Sequence, residues 1–130
     1  LKLFDATILP ILTYGCEVWG YSDLGLIEKV HTDFLKHILK VKRNTPHVMV
    51  YGDLGRFPIQ IAIKKRMIGF WCNMIINPNK LSSSLYQFVY SDYSRNDRVY
   101  NWLDFVKSIL DECGMGYIWI NQSFTSTSFK

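Results

Sequence analysis

The sequence contains only three cysteines and three histidines among its 130 residues. Cys16, Cys72 and Cys113 are odd in number and widely separated, which argues against a disulfide framework and favours a reducing compartment. We expect each of them to be a small buried apolar residue. No two Cys or His residues have the close spacing of half a zinc site, so the sequence predicts no metal site.

Long hydrophobic runs are also missing. The best candidate for a membrane span, residues 67–76, contains Asn73 and is far shorter than the roughly 20 apolar residues that cross a bilayer. Pro10 interrupts the apolar run at residues 8–12, and no basic leader or cleavage site accompanies it. We therefore expect no signal peptide and no membrane partner. Because Leu1 opens an apolar stretch, we expect this chain to be a piece of a longer soluble, intracellular protein.

Hydrophobic residues make up 48% of the sequence, which is enough for one core. We predict a single helical domain over residues 1–120, followed by a loose Ser- and Thr-rich tail over residues 121–130.

Apolar residues recur at helical spacing along almost the whole domain. The sequence therefore predicts an all-α fold, an irregular bundle of about five helices with short connections punctuated by Pro and Gly. A loop is expected at residues 94–97, and the run at 117–120 is too short to classify. The predicted helices cover residues 27–44, 48–54, 58–76, 82–89 and 99–113.

The first of these predicted helices has one apolar and one basic face. His31 lies in the middle of the apolar face, where we expect a buried imidazole with a hydrogen-bond partner. Because Pro46 disfavours helical geometry at the residue before it, the helix is expected to end near Asn44. The apolar face consists of Ile27, His31, Phe34, Ile38 and Val41. The opposite, largely basic face consists of Lys29, Asp33, Lys36, Lys40 and Arg43.

No set of residues in the sequence predicts catalysis. Asp111 and Glu112 are adjacent, and neighbours on a helix point about 100° apart, so they are not a ready metal pair. The closely paired aspartates of a polymerase are not present. We therefore predict no catalytic residue in this chain.

The basic residues carry the remaining chemical signal. The net charge of +4 is modest but favours a polyanion as partner. Cations gathered on one surface neutralise phosphates, whereas cations at a helix C-terminus can simply oppose its dipole. The sequence leaves both interpretations open. The candidate nucleic-acid contacts are Lys36, Lys40, Lys42, Arg43, Arg56, Lys64, Lys65 and Arg66.

The stretch TPHVMVYGDLGRFPI, residues 45–59, has two interpretations. A GxxG loop between helices is how KH-type domains approach a nucleic-acid backbone, but the aspartate and leucine between these glycines are poor neighbours for phosphate. We prefer a capped helical corner, with Thr45 as N-cap, Gly55 as C-cap and Pro58 starting the next helix.

The sequence resembles, in four segments that follow the expected order, the region C-terminal to the polymerase core in reverse transcriptases of LINE-like, jockey-type non-LTR retrotransposons. The segments are ILPILTYGCEVWG (8–20), IEKVHTDFLKHILKVKRNTP (27–46), VYGDLGRFPI (50–59) and WLDFVKSILDECGMGYIW (102–119). The residues that mark the likeness are Tyr14, Gly15, Trp19, Tyr51, Gly52, Gly55 and Pro58.

The resemblance implies a parent RNA-directed DNA polymerase, commonly with an endonuclease, whose catalytic aspartates and Mg²⁺ lie upstream of the matching region. This chain is then expected to be the non-catalytic thumb and post-thumb segment, with no cofactor of its own. Its expected partners are the rest of the parent reverse transcriptase and, weakly, the RNA and DNA of the template–primer. An active parent is expected to work in the nucleus and cytoplasm.

Two alternatives stay open at this point. The first is a stand-alone helix-turn-helix DNA-binding module that uses the helix at residues 58–76. The second is a domesticated scaffold or protein-interaction domain that binds no nucleic acid.

Overall fold

The computed structural model describes residues 2–96 and 99–122 of the chain, and over these residues it contains helices and short loops but no strand. The predicted all-α bundle with short connections is confirmed, but the described residues form eight α-helices rather than about five. The helices are α1 (Leu9–Leu12), α2 (Cys16–Trp19), α3 (Gly25–Leu39), α4 (His47–Leu54), α5 (Ile59–Ile76), α6 (Leu81–Asn96), α7 (Asn101–Glu112) and α8 (Gly116–Asn121), and a π-helical turn at Phe4–Ile8 precedes α1.

The helices that the sequence did not predict are short. α1 and α2 contain four residues each and α8 contains six. A helix of one or two turns offers too few apolar positions to reveal a period of 3.6 residues. Periodicity therefore found the long helices and missed these.

The chain divides into two compact units, Leu1–Lys65 and Arg66–Lys130, and the division falls within α5. The single domain over residues 1–120 stays a prediction. Of the predicted tail, Asn121 is the last residue of α8 and Gln122 is its left-handed cap, and the remainder lies outside the described residues.

In the first unit, α3 ends earlier than predicted, at Leu39 rather than near Asn44. Lys40 has a left-handed φ of 55°, and the Val41 N–H donates to the Lys36 carbonyl at 3.2 Å, which is a Schellman motif. Glycine is the usual residue in that position. Because a lysine occupies it here, the sequence carried no visible stop signal.

The buried face of α3 also differs from the predicted one. His31, Thr32, Leu35 and Lys36 are buried, whereas Ile38 is partly exposed. The burial of His31 is confirmed. The assignment of Lys36 to the outer basic face was wrong, because the helix turns the row that contains Leu35 and Lys36 toward the interior.

The predicted corner at residues 45–59 is confirmed. α4 ends in a second Schellman motif, in which Gly55 has φ 59° and the Arg56 N–H donates to the Tyr51 carbonyl at 2.8 Å. Pro46, rather than Thr45, occupies the N-cap position. The next helix begins directly after Pro58, as predicted.

The second unit is organised around aromatic side chains. Trp71 is fully buried, stacks on Trp119 with ring centroids 5.7 Å apart, and donates its Nε1–H to the Tyr86 hydroxyl at 2.9 Å. That hydroxyl donates in turn to Gln122 Oε1 at 2.7 Å. One buried polar chain thus joins α5, α6 and the end of α8.

Helix α7 shows the predicted amphipathic pattern, with Leu103, Val106, Ile109 and Leu110 buried. It is followed by Gly114 in the expected left-handed conformation, φ 71°. The predicted loop at residues 94–97 was wrong for residues 94–96, which continue α6, and position 97 lies outside the described residues.

The cysteines do not share one environment. Cys16 is buried as predicted, but Cys72 is only partly buried and Cys113 is exposed. Burial raises the pKa of the Cys72 thiol. Cys113 follows the last residue of α7, which explains why it lies outside the buried face of that helix.

Candidate functional site

A cleft of about 570 Å³ lies on the first unit, alongside α3 and next to the starts of α4 and α5. Its lining includes three cationic and two anionic residues, and Arg43 reaches it from the loop between α3 and α4. Its size is in the range of small-molecule sites. The lining residues are Gly25, Glu28, Lys29, Thr32, Asp33, Lys36, Arg43, His47 and Gln60.

Lys36 is the most buried cation of the cleft, with only 5% of its surface exposed. Its Nζ donates a hydrogen bond of 2.7 Å to the backbone carbonyl of Arg43. No ion pair joins it to a carboxylate within the described part of the chain. An ammonium group has three donors, so a neutral carbonyl leaves both its charge and two of its donors unmatched.

The other cations around the cleft are more accessible. Lys29 and Arg43 are exposed, and among residues 2–96 and 99–122 neither of them forms an ion pair. The His47 side chain is also exposed. Lys29 and Asp33 are one helical turn apart, yet they do not pair. The bond from Lys36 holds the backbone at Arg43, which lines the cleft together with the first turn of α4.

Glu28 also lines the cleft, but its carboxylate is engaged elsewhere. It accepts the backbone N–H groups of Ile59 at 3.4 Å and Gln60 at 3.3 Å, which caps the N-terminus of α5. It also accepts a short hydrogen bond from the Tyr51 hydroxyl. Burial and the neighbouring Glu28 carboxylate raise the pKa of Tyr51. The negative charge of Glu28 is therefore largely matched by the end of α5.

His31 is buried behind this carboxylate. Its Nδ1 lies 3.9 Å from Glu28 Oε1, too far for a hydrogen bond, and has no hydrogen-bond partner in the described residues. The imidazole stacks on Phe4 at 5.6 Å and lies 5.9 Å from the Tyr51 ring. Burial lowers the pKa of His31, although attraction to Glu28 partly opposes that shift. The partner that we predicted for the imidazole is not found at Nδ1.

Arg56 is bound to a carboxylate. It forms a bidentate ion pair with Asp5 in the π-helical turn, and its side chain is only 22% exposed. The hydrogen bonds that Arg56 donates to Asp5 lower the pKa of Asp5 and raise the pKa of Arg56. Arg56 therefore has a structural partner, which no local pattern could predict because Asp5 is 51 residues away.

The remaining candidate contacts lie outside the lining of the cleft. Lys40 and Lys42 are exposed in and beside the turn that ends α3. On α5, Lys65 is exposed and Lys64 is partly exposed, whereas Arg66 belongs to the second unit. Of the eight candidates, the cleft brings together only Lys36 and Arg43. It adds Lys29, which the sequence placed on the basic face of the helix but not among the candidates, and His47, which periodicity could not select because it lies on a different element.

The residues that mark the family resemblance have mostly structural surroundings. Gly15 has φ 65°, and the Trp19 indole N–H donates to the Tyr14 carbonyl at 2.8 Å across this turn. The Tyr14 side chain itself is 83% exposed. Tyr51, Gly52, Gly55 and Pro58 belong to the corner around α4.

No group of three His, Cys, Asp or Glu side chains is placed to hold a metal ion in the described part of the chain. Over the same residues, none of the helices has the length and hydrophobicity of a membrane span. Comparisons with protein-family models, curated proteins and solved structures find no match.

Proposed function

We propose that this chain is a non-catalytic helical segment of a non-LTR retrotransposon reverse transcriptase that braces the polymerase and contacts the backbone of the template–primer. The resemblance in the sequence motivates the identity of the parent enzyme. The observation that carries the contact with nucleic acid is the cleft itself, where Lys29, Lys36 and Arg43 gather without a carboxylate ion pair among the described residues.

Electrostatics supports a sequence-independent mode of binding. Phosphate contacts position a protein on nucleic acid without reading bases, and lysine and arginine provide most of them. The net charge of +4 is too small for strong nonspecific binding, so we expect weak affinity from a few contacts.

The bracing role rests on exposed apolar side chains in the first unit. Four apolar side chains in or next to the π-helical turn, α1 and α2 are each more than half exposed. They are Leu3, Ile11, Tyr14 and Val18. Exposed apolar groups that are close along the chain are typical of surfaces that another protein covers. We assign this surface to the rest of the parent polymerase.

Titration of the chain with an RNA–DNA hybrid at several salt concentrations tests the contact. With about three phosphates neutralised, the slope of log K against log salt is expected to be about −2 to −3, which corresponds to a loss of about 15- to 60-fold in affinity between about 50 and about 200 mM salt. Two hybrids of unrelated sequence are expected to bind equally.

The same titration separates the alternatives. Strong preference for one duplex DNA sequence would support a helix-turn-helix module, but Ile59, Ile63 and Met67 of α5 are buried, which does not suit a helix that enters a groove. Absence of binding to any hybrid or duplex at low salt would leave a scaffold as the function and would reject our proposal.

A further inference from the structure

We propose that the cleft beside α3 is a seat for one phosphate group of a nucleic-acid strand, which the ammonium group of Lys36 helps to bind. This inference rests on the proposed function and makes it specific. It predicts that one part of the surface, rather than the basic residues in general, holds the backbone.

Lys36 is a buried cation with one hydrogen-bond partner. A buried ion is costly unless it is paired and hydrogen-bonded, and Lys36 has a single neutral acceptor, the Arg43 carbonyl at 2.7 Å. Two further N–H donors of its ammonium are unassigned, and the residue lines the cleft. A phosphate oxygen placed there supplies both the missing charge and the missing acceptors.

Other basic side chains line the same cleft as Lys36. Lys29 lies two helical turns before it on α3, and Arg43 and His47 line the cleft from the loop and from the first turn of α4. A guanidinium and an ammonium group that converge on one space can bind different oxygens of the same phosphate. These side chains lie on α3, in the loop that follows it and on α4, three elements that the fold brings together.

The two helix ends at the cleft differ in a way that suits this assignment. The end of α5 is already capped by Glu28, whereas α4 begins at His47, after Pro46 as N-cap, with no side-chain cap. The Met49 and Val50 N–H groups donate to the Pro46 carbonyl at 3.2 and 3.4 Å, which leaves the N–H groups of His47 and Val48 without an intrahelical acceptor. The partial positive charge at this helix end adds to that of Arg43.

The first experiment uses inorganic phosphate as the probe, with sodium chloride adjusted to keep the ionic strength constant. We expect saturable shifts of the NMR amide signals of His47 and Val48, at the uncapped start of α4, and small shifts elsewhere. A linear, nonsaturating response spread over exposed lysines would overturn the proposal.

The second experiment compares two charge-matched double variants of the full chain. Lys29→Gln with Arg43→Gln removes two cations from the cleft lining, whereas Lys40→Gln with Lys42→Gln removes two nearby exposed cations that do not line it. Each contact from a charged donor changes affinity by about tenfold or more. We expect the first variant to bind the RNA–DNA hybrid at least about tenfold more weakly than the second.

The outcomes distinguish this inference from the proposed function. Equal weakening in both double variants, with binding retained by the wild-type chain, would reject the seat and leave the proposed function standing. Saturable phosphate binding at the cleft without any affinity for a hybrid would reject the proposed function and the assignment of the seat to a nucleic-acid strand, and would leave a site for free phosphate. Circular dichroism spectra that match wild type show that both variants are folded.

A third experiment tests whether the bound phosphate is at a strand end or is an internal phosphodiester. Short oligonucleotides with a 5′-phosphate or a 5′-hydroxyl are compared at equal length. Tighter binding of the phosphorylated strand, lost in the variant with Lys29→Gln and Arg43→Gln, assigns the seat to a strand end. Equal binding of both strands with the same sensitivity to that variant assigns it to an internal phosphodiester.

Discussion

The ammonium nitrogen of Lys36 lies 2.7 Å from the backbone carbonyl oxygen of Arg43, seven residues further along the chain. This bond crosses the Schellman turn at Lys40 and ties α3 to the loop that leads into α4. A lysine that looks like part of a solvated basic face is therefore a buried anchor. It holds the backbone of Arg43 in place.

Replacement of Lys36 by methionine is expected to loosen this loop. Met keeps the apolar stem but removes a hydrogen bond from a charged donor, a contact that typically contributes about 1.5–3 kcal/mol. Trypsin should then cleave after Lys42 or Arg43 about tenfold faster, measured by mass spectrometry of the fragments. Lys65→Met, at an exposed position on α5, serves as control. Unchanged cleavage in Lys36→Met would show that the bond does not hold the loop.

Gly52 and Gly55 are expected to respond to alanine in opposite directions. A Cβ at either position meets no atom within 4 Å, so only backbone conformation differs. Gly52 is in helical conformation, where alanine should stabilise by about 0.5–1 kcal/mol, while Gly55 has φ 59°, where alanine should destabilise by about 1–2 kcal/mol. Urea denaturation of both variants measures the change in the free energy of unfolding. If both substitutions changed the free energy of unfolding equally, that result would contradict the helical corner.

Lys40→Gly is expected to stabilise the chain by about 0.5–1 kcal/mol. Lys40 has φ 55°, which is strained for a residue with a Cβ and natural for glycine at the end of a helix. Lys40→Ala keeps the strain and also removes the charge, so it should change the free energy of unfolding much less. If the two variants are equally stable, the left-handed turn is not formed as described.

Stability is expected to fall as the pH is lowered below the ordinary His31 pKa of 6.5. Burial lowers the pKa of His31 in the folded chain, so the unfolded chain takes up the proton first. The contribution of neutral His31 is complete above 6.5 and is lost as the pH falls through the lower folded pKa. His31→Phe should weaken this dependence in pH-dependent urea melts, whereas His37→Gln, at an exposed position, should keep it.

Tyr86→Phe is expected to lower the free energy of unfolding by about 1–3 kcal/mol, because it removes the acceptor of the buried Trp71 N–H. Burial raises the pKa of Tyr86 to about 12, which agrees with a phenol that stays protonated inside the second unit. Tyr117→Phe, at an exposed position, should have little effect. Chemical denaturation followed by tryptophan fluorescence compares the two variants.

Much of the fold could be predicted from local patterns. Long helices such as α5 and α7 carry apolar residues at helical spacing, and the corner at Gly55 and the turn at Gly114 carry the residue that their backbone requires. Prediction failed where the signal was too short or the residue unusual. α1, α2 and α8 are too brief for periodicity, and the end of α3 uses a lysine where glycine is common.

The candidate site could be predicted only in part, because its members meet through long-range contacts. Two of its cations, Lys36 and Arg43, were selected from the sequence for their charge alone. The partner of Arg56 lies 51 residues away in the π-helical turn, and Glu28 reaches the start of α5 across 31 residues. Such pairings depend on how helices pack, which no local pattern specifies.

By itself, the sequence determined that this chain is helical, where its longest helices lie and that its corner turns at Gly55. These features follow from side-chain periodicity and from the backbone freedom of single residues, which act over a few positions. Only the tertiary structure decided which basic side chains are buried or form ion pairs and which are exposed. It buried Lys36, paired Arg56 with Asp5 and gathered Lys29, Arg43 and His47 around one cleft, since burial and charge pairing are set by residues far apart in the chain.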